Sequence, residues 1–166
     1  FGKAGKTLAA KLSSQGKKVA LIEKSKSMYG GTCINIACIP TKTLVKIAET
    51  VDSVNDAGKF GVMTGDYTLD EDVIFNRKAQ VVEGLRKGVE FLFSGYKNLE
   101  YVRGFASFKD EKTVEVKTDD GVKEFTGDAI IIATGSKDQK NLPGSDLPKV
   151  LSSTDLLNLK EIPKSM

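Results

Sequence analysis

Cys33 and Cys38 are the only cysteines of this 166-residue chain, and they stand five positions apart. Gly30 and Gly31 precede them, and Lys42 follows four residues after the second cysteine. Two thiols at this spacing could form a structural disulfide, bind a metal ion, or exchange electrons as a dithiol–disulfide couple. The types and positions of the surrounding residues distinguish between these three possibilities.

A metal site is not predicted, because zinc usually takes four cysteine or histidine ligands and the chain has no histidine. A structural disulfide is a second alternative, but its small loop constrains few unfolded conformations. Its stabilisation would therefore lie at the low end of about 0–5 kcal/mol. Five residues of ideal α-helix also rise by about 7.5 Å, more than the roughly 7 Å allowed between bridged Cα atoms. A disulfide here requires a distorted or only partly helical backbone.

The neighbouring residues favour a redox couple. The two glycines allow the backbone to pack closely against another group. If a helix begins between Cys33 and Pro40, its N-terminal N–H groups favour a thiolate over a thiol. Lys42 would lie on the same helical face as Cys38 and add positive charge there. We therefore predict a redox couple, with two inert buried thiols as the alternative.

A partial dinucleotide-binding pattern opens the chain. Gly2 and Gly5 match the second and third glycines of G-x-G-x-x-G, and the first glycine and first strand would lie upstream. A helical pattern follows, with Gly16 as its stop, and then a short buried strand over residues 18–23. Glu23 lies 21 residues after Gly2. This is close to the separation of about 20 at which an acid binds the ribose hydroxyls of a nucleotide.

The remaining patterns predict an α/β fold. Helices are expected over residues 41–56, from the acidic segment 68–72 to near residue 94, and over 154–159. Short strands are expected at 101–103, 106–108, 113–116 and 122–125, with a hairpin turn at 119–121. A continuously apolar strand of a parallel sheet is predicted over 128–133, ending at Thr134 and Gly135. The basic side chains of the long helix are expected to be solvated surface: Arg77, Lys78, Arg86 and Lys87.

Composition excludes several classes of function. The net charge of +3 is spread along the chain and does not indicate nucleic acid. No apolar run approaches the roughly 18 residues needed to cross a bilayer, so no membrane association is expected. The low cysteine content is not that of a secreted disulfide scaffold, and a cytoplasmic location is expected.

The segment of residues 30–42, GGTCINIACIPTK, resembles the redox-active segment of class I pyridine nucleotide-disulfide oxidoreductases. That family includes dihydrolipoamide dehydrogenase, glutathione reductase and mercuric reductase. The resemblance extends over the whole chain, from the glycines and the acid of the FAD-binding loop to a segment leading into the NAD(P) domain. The amino-acid sequence of residues 33–44 is most similar to that of the mercuric reductase-like, reactive-chlorine-resistance branch. One departure is Ala37, where the family usually has glycine. It should be tolerated if the local backbone is not left-handed.

The resemblance implies a role for each matching residue. Cys33 would exchange with substrate, and Cys38 would face the flavin of a bound FAD. Further FAD contacts are implied for the pyrophosphate loop, the ribose acid, the cysteine segment, the adenine site and the strand end beside the flavin: Gly2, Gly5, Glu23, Gly31, Thr32, Lys42, Ala106, Thr134 and Gly135. No metal ligand is implied.

The resemblance also implies a Rossmann-like FAD-binding domain with a small antiparallel β-meander, truncated at both ends. Residues 1–150 would form the FAD-binding segment, and residues 151–166 a connector toward an NAD(P)-binding domain outside this chain. Electrons would pass from NAD(P)H through FAD and the Cys33–Cys38 disulfide to a disulfide, a metal ion or another small oxidant. The full-length protein would be a homodimer. The histidine–glutamate pair of the family would also lie outside this chain.

Two other functions are weighed against this one. The first is a non-catalytic flavin- or nucleotide-binding module with idle or redox-sensing cysteines, and the second is a Rossmann-like scaffold without cofactor. Within the enzyme class, dihydrolipoamide dehydrogenase is the alternative to the mercuric reductase-like branch.

Overall fold

The computed structural model describes residues 1–139 and 141–166. Five α-helices lie within them: α1 (Lys3–Ser14), α2 (Gly31–Asn35), α3 (Cys38–Asp56), α4 (Glu71–Ser94) and α5 (Ser153–Leu157). The strands in the same residues are β1 (Val19–Glu23), β2 (Leu99–Arg103), β3 (Phe105–Phe108), β4 (Thr113–Thr118) and β5 (Gly121–Thr126). Short 3-10 turns occupy Lys26–Met28 and Ala57–Phe60.

These elements form two compact units. The first comprises Phe1–Asn35 and Leu85–Lys137, and the second comprises Ile36–Gly84 and Asp138–Met166. In the first unit β1 and β2 pair in parallel, and β3, β4 and β5 form an antiparallel meander. The predicted α/β class, with a parallel sheet and a small meander, is confirmed.

The first unit has two apolar clusters. One is largely aromatic and contains Phe1, Tyr29 and Phe93, with Tyr101 packed against it. The Phe1 and Phe93 rings meet edge to face with their centroids 4.8 Å apart, an arrangement that the ring quadrupoles favour. The other cluster comprises the buried valines Val102, Val114 and Val116. Helix α1 and the C-terminal end of α4 thus pack on one cluster, while the meander packs on the other.

The turns and helix ends follow the predicted local chemistry. Gly16 has φ +83° just after α1, as a left-handed stop requires. Asp119 and Asp120 form the two-residue turn between β4 and β5, where Thr118 pairs with Gly121. Helix α4 runs unbroken through both of its glycines, and the Asp70 carboxylate caps its start by accepting from Val73 N, 3.0 Å.

The predicted strand over residues 128–133 is wrong. These residues form no ladder, and Ile131 and Ile132 are 55% and 71% exposed. An apolar run indicates burial, but a strand also needs a neighbouring backbone to accept and donate its hydrogen bonds. Within the described residues β1 pairs with β2 alone, so the segment has no such neighbour. Ile130 still packs against the valine cluster.

The second unit contains α3, α5 and the first half of α4. Two of its contacts correct or extend the sequence interpretation. Lys78, expected on a solvated face, is half-buried and donates from Nζ to the carbonyl oxygen of Leu157. Ile162 N donates to Glu71 Oε2, 3.0 Å. Helix α4 therefore anchors the C-terminal segment, and burial lowers the pKa of Lys78.

The fully buried Val116 provides a test of the meander's contribution to stability. Val116→Ala removes two methyl groups from a packed cluster and should lower the free energy of unfolding by about 2–3 kcal/mol. Val122→Ala in the adjacent strand, where the side chain is 59% exposed, should cost less than about 1 kcal/mol. Urea unfolding of both variants measures the difference. Equal losses would contradict the assignment of Val116 to the core.

Candidate active site

The backbone of the cysteine segment touches the glycine turn at the start of the chain. A Cβ atom added to Gly31 would lie 2.3 Å from the Cα atom of Gly2, far inside van der Waals contact. Gly31 also has φ +74°, a conformation that L side chains rarely adopt. Both features exclude a side chain at position 31. The structure therefore brings together two glycines that the sequence assigned to the FAD site for separate reasons.

The start of α1 is suited to bind an anion. Gly2 is its N-cap residue, and no side chain of the described residues caps it with a hydrogen bond. The first N–H groups of a helix have no partner within the helix, and together with the helix dipole they favour phosphate. The third glycine of the fingerprint, Gly5, has a different task. A Cβ atom there would lie 3.3 Å from Ala133 Cβ, so Gly5 allows α1 to pack closely on residue 133.

Glu23 lies at the carboxyl end of β1, where the sequence predicts a ribose-binding acid. Its carboxylate accepts from the amino nitrogen of Phe1, 2.9 Å, and from Ser25 N, 3.0 Å. Its backbone oxygen accepts from Gly104 N, 3.0 Å, which joins the end of β1 to the start of the meander. The main-chain N–H of Ser25 therefore orients the acid at the end of β1.

Ala106, expected beside the adenine, lies in β3, and Gly104 stands just before that strand. Gly104 is required by the meander, because a Cβ atom would come within 2.6 Å of the carbonyl oxygen of Lys117. Ala106 pairs with Val116 and is exposed. Thr134 and Gly135 are exposed as well, and Gly135 has φ +75°. These positions belong to the first unit, in which Ala133, just before Thr134, is the neighbour of Gly5.

Cys33 lies in α2, the five-residue helix that begins at Gly31. It is half-buried and is a thiol rather than half of a disulfide in this structure, while Thr32 beside it is exposed. Gly30 and Gly31 both have positive φ, so the chain turns sharply just before the helix. The orientation of Cys33 therefore depends on what holds this turn.

Asn35 holds the turn from its far end. Its Nδ2 donates to the carbonyl oxygens of Tyr29, 2.8 Å, and Gly31, 2.9 Å, and its Oδ1 accepts from Arg86 Nε, 2.9 Å. Both the NH₂ group and the oxygen of this half-buried side-chain amide therefore have hydrogen-bond partners, as buried polar groups require. The expectation that Arg86 is solvated surface is wrong. Sequence spacing gave no sign of this contact, because its partners lie 51 residues apart.

Cys38 and Lys42 belong to the second unit. Cys38 is the first residue of α3 and is exposed, and Lys42 lies four residues further along the same helix, as predicted. Helix α2 ends at Asn35, so the helix is interrupted between the two cysteines, as a disulfide at this spacing requires. Ala37 has φ −118°, so the departure from the family's usual glycine causes no left-handed strain.

Neither a metal-binding cluster nor a membrane-spanning helix is found in the part of the chain that the structure describes. Among the described residues, no cluster of three or more histidine, cysteine, aspartate or glutamate side chains could hold a metal ion. In the same residues, no helix has the length and apolar character that crossing a membrane demands.

The parallel strand pair, the uncapped glycine turn of α1 and the acid at the end of β1 define a Rossmann-like nucleotide-binding fold. A family model described as pyridine nucleotide-disulphide oxidoreductase matches residues 1–166. The chain belongs to that family, whose flavoproteins use FAD and NAD(P)H.

Individual relatives agree with this assignment. The chain is 40% identical to dihydrolipoamide dehydrogenase of Chaetomium thermophilum, over 98% of this chain and 32% of the relative. It is 41% identical to the probable pyridine nucleotide-disulfide oxidoreductase RclA of Escherichia coli, over 98% of this chain and 34% of the relative. The solved HOCl-induced flavoprotein disulfide reductase RclA from Escherichia coli superposes with a TM-score of 0.77 at 41% identity, covering 98% of this chain and 33% of that chain. The chain thus spans about a third of the length of the curated relatives that it matches.

The contact between Gly2 and Gly31 is testable by substitution. Gly31→Ala places a Cβ atom against the Gly2 backbone and strains a positive φ, so it should lower the free energy of unfolding by about 3 kcal/mol or more. Gly84→Ala is the matched control in α4, since nothing lies within 4 Å of its Cβ position. It should stabilise by about 0.5–1 kcal/mol. Urea unfolding of the two variants gives both values, and a harmless Gly31→Ala would contradict the contact.

Proposed function

We propose that this chain is the FAD-binding part of a longer disulfide oxidoreductase. In this enzyme, electrons pass from NAD(P)H through FAD to a Cys33–Cys38 disulfide and then to substrate. The observation that carries the proposal is the contact of Gly31 with Gly2, because it joins the cysteine segment to the anion-binding turn of a nucleotide fold. An idle pair of thiols would need no such placement.

The described residues fit FAD. The uncapped N–H groups after Gly2 and the close packing at Gly5 suit the pyrophosphate, and Glu23 suits the adenosine ribose. Bound FAD would supply the two-electron chemistry between NAD(P)H and the disulfide. The remaining contacts proposed for the cofactor involve the cysteine segment, the meander and the loop after residue 133: Gly31, Thr32, Lys42, Ala106, Thr134 and Gly135.

The cysteines have different tasks in this proposal. Reduction of their disulfide consumes two electrons and two protons and leaves two thiol groups. Cys33 then exchanges with substrate. Its place on α2, just after the Gly30 and Gly31 turn, holds its backbone in a defined position. Cys38 faces the flavin from the start of α3, with Lys42 adding positive charge one turn along the helix.

The substrate class follows from the relatives. The similarity to RclA of Escherichia coli, described as an HOCl-induced flavoprotein disulfide reductase and also solved as a Cu(II) complex, supports a disulfide, metal-ion or other small oxidant. The 40% identity to dihydrolipoamide dehydrogenase of Chaetomium thermophilum supports a second candidate, the oxidation of a dithiol such as dihydrolipoamide. In either case NAD(P)H would bind in a domain beyond a connector formed by residues 151–166. The family resemblance further supports a homodimer, and the low cysteine content supports a cytoplasmic location.

Cysteine variants of the full-length protein test the proposed roles. Anaerobic two-electron reduction should give a long-wavelength absorption band between thiolate and flavin. Cys38→Ser should abolish both this band and reduction of a model disulfide such as 5,5′-dithiobis(2-nitrobenzoate). Cys33→Ser cannot form the disulfide, so its Cys38 thiolate should give the band against oxidised flavin before any reductant is added. This variant should lose at least about 10²-fold in disulfide reduction, because it removes the nucleophile.

The control is flavin content, which neither substitution should lower, because the serine hydroxyl replaces the thiol with little change in volume. Disulfide reduction that survives in Cys38→Ser would contradict the proposal. It would leave a flavin-binding module with idle thiols as the better description.

A further inference from the structure

Lys6 and Cys33 extend from the two helix starts that touch each other. Lys6 lies one turn into α1, where its backbone N–H donates to the carbonyl oxygen of Gly2, 2.9 Å. Cys33 lies two residues after Gly31 in α2. Because the backbones of Gly2 and Gly31 are in contact, α1 and α2 start side by side, and the Lys6 and Cys33 side chains are both half-buried. In the sequence Lys6 stands between Gly5 and Thr7, and no pattern there distinguishes it from an ordinary surface lysine.

The pKa of Lys6 responds to burial first, then to Lys3, and then to Cys33. Burial lowers the pKa of Lys6, and repulsion from Lys3 lowers it further, while attraction to the Cys33 sulfur raises it. An ammonium group that is partly withdrawn from water gains from a nearby anion. A thiolate at Cys33 would be that anion, and the benefit is mutual because each charge stabilises the other.

Other charged groups on the elements packed against α1 and α2 have separate roles or lie in solvent. Glu23 on β1 accepts from the nitrogens of Phe1 and Ser25. Arg86 on α4 donates to Asn35 Oδ1 at the end of α2, 2.9 Å, and Arg103 on β2 pairs with Asp119. The remaining charged side chains of β2 and of the 3-10 turn beside α2 are exposed: Glu100 and Lys26.

We propose that Lys6 is a positioning residue that holds Cys33 as a thiolate, ready to exchange with an oxidised substrate. The proposal rests on the proposed function, in which Cys33 is the exchanging thiol. In the step itself, the Cys33 sulfur attacks one sulfur of a substrate disulfide. A new S–S bond to Cys33 forms as the substrate S–S bond breaks, and the other substrate sulfur leaves as a thiolate. Lys6 keeps its proton throughout and acts only through its charge.

Alkylation of Cys33 in the full-length dithiol protein tests this role. Iodoacetamide forms an S–C bond with the thiolate and releases iodide, so its rate follows the thiolate fraction. Mass spectrometry of the Cys33 peptide between about pH 5 and pH 10 would give a rate–pH profile. Lys6→Met should slow alkylation at neutral pH by about three- to tenfold and shift the profile to higher pH.

Two matched variants separate charge from packing. Lys6→Arg keeps the positive charge and should stay within about twofold of the parent rate. Lys11→Met removes an exposed lysine of the same helix and should also stay within about twofold. An unchanged profile in Lys6→Met would overturn the proposal. Equal slowing in Lys6→Met and Lys6→Arg would overturn it as well, because packing rather than charge would then be responsible.

A measurement on the unsubstituted protein keeps the test valid if Lys6→Met folds poorly. Iodoacetate carries a negative charge and iodoacetamide none. A nearby cation therefore raises the rate of alkylation by iodoacetate relative to that by iodoacetamide. This ratio should fall as salt is raised from about 0.05 M to 1 M, since salt screens the attraction. A ratio that stays constant or rises would overturn the proposal. Alkylation requires neither flavin nor NAD(P)H. If the alkylation results contradict the role of Lys6 while the thiolate–flavin band is normal, only that role is wrong and the proposed function stands.

Discussion

The close approach of Gly2 and Gly31 is the constraint on which the candidate site depends. Neither residue has a side chain, and the space between them is too small for one, at 2.3 Å from a Cβ position on Gly31 to Gly2 Cα. This contact places the start of α2, and with it Cys33, beside the uncapped start of α1. A nucleotide-binding turn and a thiol are thereby built into one unit of the fold. The chemistry that we propose follows from that juxtaposition.

Hydrogen bonds from distant parts of the chain keep this arrangement in place. The Asn35 amide bonds to two carbonyl oxygens of the cysteine turn and to Arg86 of α4. Gly104 N donates to the last residue of β1 and so connects that strand to the meander. Each partner is a half-buried polar group, for which an unmade hydrogen bond costs about 1–3 kcal/mol. The cysteine turn therefore depends also on Arg86, which lies outside the cysteine segment, so substitutions far from the cysteines can affect it.

Much of this could be predicted from the sequence because the signals are local. Gly2, Gly5 and Glu23 stand at fixed spacing, the hairpin at Asp119 and Asp120 has its own turn chemistry, and the helical periodicity of α4 spans its glycines. The strand over 128–133 failed for the opposite reason, since an apolar run reports burial but not a partner strand. The Asn35–Arg86 contact was missed because no pattern in the sequence records a contact between side chains on separate elements.

In the function proposed for this chain, Cys33 and Cys38 form one redox couple in electronic contact with flavin. Stepwise anaerobic reduction of the full-length flavoprotein, with alkylation and peptide mass mapping after each addition, tests it directly. Both cysteines should become alkylatable together, before the flavin is bleached. Bleaching of the flavin while both cysteines remain unchanged, or the release of only one thiol, would contradict it.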